Sequence, residues 1–147
     1  MEIFFQLILS VLLGALIGVE REYKKKEAGL RTYSLVSLGT CLFTVMSFDL
    51  YKIFSGAPGI NFDPSRIIQA VAAGIGFIGA GVIFRQTSGV VGLTTAAGLW
   101  VSSAVGVAVG SGFYIMAVAG TVLALFILVF LGWLEEKIFK KGSDRNI

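Results

Sequence analysis

Between Arg66 and Arg85 run eighteen residues, Ile67 to Phe84, in which Gln69 is the only polar side chain. At about 1.5 Å per helical residue, such a stretch is long enough to cross the roughly 30 Å hydrocarbon core of a bilayer. Its start is written just ahead of it, with Asp63 as N-cap and Pro64 at the first helical position. Its composition is unusual for a helix that only faces lipid. Gly74, Gly76, Gly79 and Gly81 weaken a helix in water, but small residues in a membrane let neighbouring helices approach closely. At about 100° per residue, Ala70, Gly74 and Gly81 share one side, and Ala72, Gly76, Gly79 and Ala80 lie roughly opposite. Two stripes predict the central helix of a bundle, gripped on both sides.

Four more apolar segments accompany it: Ile3–Val19, Tyr33–Ile53, Leu93–Gly110 and Phe113–Leu134. The chain of 147 residues is 56% hydrophobic and 14% charged, with mean hydropathy +0.87. A soluble domain of this size cannot hide that much apolar surface. The predicted fold is an all-α integral membrane protein, a glycine-rich, close-packed bundle of five transmembrane helices. It forms one domain over 1–147, with no room after Leu134 for a soluble C-terminal domain. Met1-Glu2 places no basic residue ahead of the first apolar run, so the N-terminus does not read as a cleavable signal. Cys41 is the one cysteine, which excludes an intramolecular disulfide, and the absence of histidine removes the commonest acid–base group and metal ligand. No catalytic set, metal cluster or cofactor site is expected, nor a nucleic-acid partner.

Orientation is read from lysine and arginine. Arg21, Lys24, Lys25, Lys26 and Arg31 follow the first segment, Arg85 follows the third, and Lys137, Lys140, Lys141 and Arg145 follow the fifth. Five crossings put these ten on one side, against Lys52 and Arg66 on the other. The positive-inside rule then predicts the N-terminus outside and the C-terminus in the cytoplasm. Tyr23, Tyr33 and Trp133 fall near the inner interface, Tyr51 and Tyr114 near the outer one, whereas Trp100 lies deep in the fourth segment and reads as core with an indole hydrogen bond. In the first loop, Glu20–Lys24, Glu22–Lys26 and Glu27–Arg31 are spaced i,i+4 with the acid first. That predicts a first helix reaching about Ala28 and ending at Gly29.

Small residues recur elsewhere. Ser10, Gly14 and Gly18 are four apart in the first segment, and Thr94, Gly98, Ser102, Gly106 and Gly110 continue the spacing in the fourth. Spans one, three and four are expected to pack closely, and the surplus of small residues predicts a homo-oligomer, a dimer being favoured. Ser34, Ser37, Thr40, Cys41, Thr44 and Ser47 in the second segment fit local bonding to helix carbonyls. Two charged groupings stand out. Glu20, Arg31 and Arg85, with Thr94 or Thr95 nearby, fall at one depth on the cytoplasmic side, where Glu20 is expected within salt-bridge reach of an arginine. Asp63 and Arg66 form a candidate outer-face pair, with helix capping the favoured role of Asp63.

The ordered motifs G-A-L-I-G-V-E-R-E (Gly14–Glu22), A-G-L-R-T (Ala28–Thr32), D-P-S-R-I (Asp63–Ile67), G-I-G-F-I-G-A-G-V-I-F-R (Gly74–Arg85) and G-L-T-T-A-A-G-L-W (Gly92–Trp100) resemble the MgtC/SapB family of bacterial inner-membrane proteins. The resemblance implies a multi-pass protein of the inner membrane with five spans and a cytoplasmic C-terminus. It also implies adaptation to low magnesium, virulence and intracellular survival in some members, and regulation of other membrane machinery, an F-type ATP synthase among the partners. Many members carry a soluble C-terminal domain.

Two functional classes follow. The first is a non-enzymatic regulator, which explains much packing surface beside few reactive groups. The alternative is a transporter or channel for magnesium or another ion. Magnesium prefers carboxylates and keeps its waters. Glu20, Asp49, Asp63, Glu135 and Glu136 all sit near span ends, whereas transporter sites usually lie at mid-depth.

Overall fold

The computed structural model describes residues 1–55, 63–87 and 89–139. The connection at 56–62 and the basic residues Lys140, Lys141 and Arg145 lie outside the described residues. Five helices are long and apolar enough to cross a membrane. They are α1 (Glu2–Tyr23), α2 (Leu30–Phe54), α3 (Ser65–Val82), α4 (Leu93–Gly110) and the continuous Tyr114–Glu135 segment. The last comprises α5 (Tyr114–Phe126), a π-helical turn (Ile127–Leu131) and the start of α6 (Gly132–Phe139). Between α3 and α4 a short antiparallel hairpin pairs β1 (Phe84–Gln86) with β2 (Gly89–Val91), Arg85 opposite Val90.

The centre of the bundle is the parallel pair α2–α4 with α1 laid along it. The four-residue spacing of small residues on α4 follows α2 turn by turn. Gly98 lies against the Tyr33 ring, Gly106 against Ser37 and Thr40, and Gly110 against Cys41 and Thr44, where an added Cβ would be 2.8 Å from the Cys41 carbonyl oxygen. On α1, a Cβ at Gly14 would stand 2.7 Å from Ser37 Cβ, and one at Gly18 2.7 Å from Leu30 Cα. Close approach brings hydroxyls to the neighbouring backbone. Thr40 Oγ1 donates to the Ser103 carbonyl (3.0 Å), Ser102 Oγ to the Tyr33 carbonyl (3.0 Å) and Tyr33 Oη to the Thr95 carbonyl (3.1 Å). Such bonds are worth about 0.6 kcal/mol each between membrane helices, because separated helices also find partners. Ser34 and Thr44 bond within α2, to Leu30 and Thr40 carbonyls. The hydroxyl run is therefore partly local bonding, as its composition suggested, and partly a seam between helices.

Three expectations are corrected here. First, α3 is not the central helix. Only Ile75 and Gly79 of α3 are buried, and a Cβ at Gly74, Gly76 or Gly81 would meet nothing within 4 Å. A stripe of small residues shows that a face can accept a neighbour; the interlocking hydroxyls of α2 and α4 decide which faces have one. Second, Trp100 is 56% exposed instead of forming core.

Third, α1 stops at Tyr23 rather than near Ala28. Lys25 takes φ +51°, the Lys25 amide donates to the Glu22 carbonyl and the Lys26 amide to the Arg21 carbonyl. This is the Schellman termination, made with lysine where glycine is usual. Of the three i,i+4 pairs only Glu20–Lys24 forms, at 3.4 Å. The other acids have tertiary work: Glu22 accepts from the Leu30 amide (3.1 Å), placing negative charge at the start of α2, and Glu27 reaches α4. The start of α3 is as expected. Asp63 Oδ1 accepts from the Ser65 amide at 2.9 Å, and Pro64 already has helical dihedrals (φ −57°, ψ −28°).

Candidate functional site: a charged cleft at the basic end

A cleft of about 830 Å³ opens where α1 ends and α4 begins. One wall is the turn carrying Lys24, Lys26 and Glu27; another is the end of β2 with Thr94 and Thr95 of α4; the third is the π-helical turn running into Gly132 and Glu135. Two local features shape it. Gly92, between hairpin and helix, takes φ +88°, and its Cα lies so close to the Val82 carbonyl that a side chain has no room. That glycine folds the hairpin back on α3 and sets the first turn of α4 at the cleft edge. The π-helical turn adds a residue to one turn of the fifth span and re-aims Leu128 and Leu131 into the wall.

Behind the wall lies a buried ion pair. Arg21 is 3% exposed, and its guanidinium grips Glu20 with two hydrogen bonds, Nε to Oε2 and Nη2 to Oε1 (2.7 Å). The two-point grip fixes both side chains. Lys24 Nζ adds a second cation 3.4 Å from Glu20 Oε1.

Across the opening, Thr95 Oγ1 donates to Glu27 Oε2 at 2.6 Å. That bond holds the Glu27 carboxyl below its ordinary range, helped by a backbone hydrogen bond at Glu27 and then by the Lys26 and Arg21 charges, while burial pushes the other way. It ties the α1–α2 turn to α4. Because the folded carboxyl titrates below its unfolded value, this contribution is complete above the ordinary carboxylate pKa and is lost as pH falls through the lowered one. Thr95→Val is expected to move the Glu27 titration, followed by NMR of the side-chain carboxyl, back up toward the ordinary range. An unchanged titration would show that Thr95 does not hold it.

The expected inner-face cluster is thus divided. Thr94 and Thr95 line the cleft, and Glu20 backs it through Arg21. Arg31 and Arg85 are exposed and make no ion pair among the described residues, so the expected Glu20–Arg31 or Glu20–Arg85 bridge is replaced by Glu20–Arg21 and Glu20–Lys24. Arg21, adjacent in the chain, takes both Glu20 carboxylate oxygens with its guanidinium, and Lys24 one turn on adds the second cation. At the opposite end, Asp63 caps α3 and no ion pair joins it to Arg66; its carboxyl is held low chiefly by Ser65. Among the described residues no three His, Cys, Asp or Glu side chains gather as metal ligands.

The sequence matches the MgtC family over residues 7–137. The chain belongs to the MgtC family. It is 39% identical over 96% of its length to YhiD of Escherichia coli (strain K12), provisionally named a magnesium transporter. It is 39% identical over 98% of its length to protein SapB of Bacillus subtilis (strain 168), and 40% over 90% to protein MgtC of Salmonella typhimurium (strain LT2). The matched segments make up 66%, 61% and 53% of those relatives. No solved structure matches the chain. Family membership and five spanning helices together make it a multi-pass membrane protein.

Proposed function

We propose that this MgtC-family chain is a non-enzymatic regulator in the bacterial inner membrane, serving adaptation to low magnesium by engaging other membrane machinery through its charged cleft. The observation that carries this reading is the distribution of polar chemistry. Charged side chains collect at the helix ends, five of them lining the cleft, while most buried hydroxyls between the helices bond to backbone carbonyls. Such a seam holds helices together and leaves the cleft as the large polar surface offered to a partner. The cleft faces the cytoplasm in this reading, which the ten-to-two basic asymmetry supports. Homodimer formation and an F-type ATP synthase as partner belong to the same proposal. They rest on the exposed small residues of α3 and on the family resemblance.

Charge reversal tests it. Lys26→Glu combined with Glu135→Lys is expected to keep the folded yield and abolish support of growth at low magnesium, in a host whose own family member is deleted. Both side chains line the cleft, are exposed and make no ion pair among the described residues, so the fold does not depend on their sign. Full growth with both charges reversed would remove the cleft from the function. The provisional naming of YhiD as a transporter favours a second reading, conduction of magnesium.

A further inference from the structure

α2 and α3 are held together at one end and part below it. Ser47 Oγ donates to the Pro64 carbonyl at 3.0 Å, pinning the start of α3 to α2. At its other end α3 leans on α4, where a Cβ at Gly79 would lie 3.6 Å from that of Ala96. The divergence leaves a groove of about 910 Å³ along the spans, within the roughly 300–1,000 Å³ usual for small-molecule sites. Leu35, Phe43 and Met46 of α2 form one wall, and Ala70, Gly74 and Ile78 of α3 the other. A Cβ at Gly39 or Gly74 would meet nothing within 4 Å, so no side chain of this molecule fills the space.

One charge borders this apolar trough. Arg66, in the first turn of α3, lines the groove at the pinned end, is exposed and makes no ion pair among the described residues. Asp63, three residues earlier, is turned to the Ser65 amide instead. Along the groove the order is therefore cation at the membrane surface, then hydrocarbon. That is the polarity order of a phospholipid: phosphate at the surface, acyl chain below. A guanidinium meets phosphate oxygens in a two-point fork, and basic positions between membrane helices recognise anionic headgroups in the same way.

We propose that the α2–α3 groove is a binding site for one acidic phospholipid, an acyl chain lying between the helices and its phosphate held by Arg66. A zwitterionic headgroup carries its own cation and competes with Arg66 for the phosphate; an acidic one does not. The site is at the opposite end from the charged cleft and does not depend on the cleft's function.

Native mass spectrometry of the purified chain, incubated with phosphatidylglycerol or phosphatidylethanolamine, tests this. One phosphatidylglycerol is expected to stay bound, about tenfold more of it than of phosphatidylethanolamine. Arg66→Gln is expected to lower its retention about tenfold by loss of a charged hydrogen bond. Gly74→Phe is expected to displace the chain by filling the groove; size-exclusion profiles check that both variants fold, and Arg66→Gln, at an exposed position, decides the matter alone should Gly74→Phe not. Equal retention by parent and Arg66→Gln, or equal retention of the two lipids, would overturn the proposal. So would a disulfide between two Gly74→Cys chains in the membrane, which would put a second copy in the groove.

Discussion

Gly106→Leu is expected to abolish recovery of folded protein, whereas Gly76→Leu leaves it close to the parent. Both glycines lie within glycine-rich spans. At Gly106 the space for a Cβ is already taken by the Ser37 carbonyl and the Thr40 hydroxyl of α2. A backbone carbonyl cannot rotate aside as a flexible side chain does, so α2 and α4 would have to separate. Separation breaks the Thr40–Ser103 and Ser102–Tyr33 hydrogen bonds and opens the contact around fully buried Leu99 and Val109. Overpacking of a tight core costs typically about 1–3 kcal/mol and more against backbone, a large part of a marginal stability. At Gly76 a Cβ meets nothing within 4 Å. The folded, monodisperse fraction in mild detergent reads the difference. Equal loss at both positions would restore α3 to the centre of the bundle.

Removing the Arg21 side chain is the second large effect. The Glu20 and Arg21 side chains are 10% and 4% exposed. Arg21→Ala strips the two-point partner from a carboxylate that water scarcely reaches and leaves only Lys24, 3.4 Å away. Breaking a buried pair from one side costs about 3–5 kcal/mol, most of it the penalty of the orphaned charge. Glu20→Ala with Arg21→Ala removes both charges and is expected to recover a substantial part of that loss. Arg31→Ala and Arg85→Ala, at exposed positions without ion pairs among the described residues, are expected to stay within about 0.5 kcal/mol of the parent. Thermal unfolding in detergent ranks the four. If Arg85→Ala proved as costly as Arg21→Ala, the buried pair would not be what holds this end together.

The number of helices able to span a membrane was legible because hydropathy depends on local composition alone. The start of α3 was legible too, since Asp63 and Pro64 act through their own backbone. The centre of the bundle was less so. Gly74, Gly76 and Gly81 carry the same local signal as Gly98 and Gly106, and only the facing helix separates a contact from an open surface. The site was half legible. Thr94 and Thr95 were found through their place at the head of the fourth span. Arg21 and Glu27 were missed, although one signal pointed to Arg21: Leu13, Gly14, Ile17, Gly18 and Arg21 follow a single helical face, the buried face of α1. The i,i+4 spacing of Glu27 and Arg31 suggested a continuing helix, and no short-range pattern reveals that Glu27 instead bonds a threonine 68 residues away.

Magnesium flux into liposomes holding the purified chain, followed with an enclosed indicator dye under an inward gradient, tests the regulatory reading most directly. The expected trace is that of empty liposomes, because the acids of the described residues stand near or beyond the span ends and the buried interior offers mainly hydroxyls already bonded to backbone, with Ser37 Oγ unpartnered among the described residues. Flux above that baseline, abolished by Asp49→Ala or Asp63→Ala, would contradict it and make the chain a conductor of the ion.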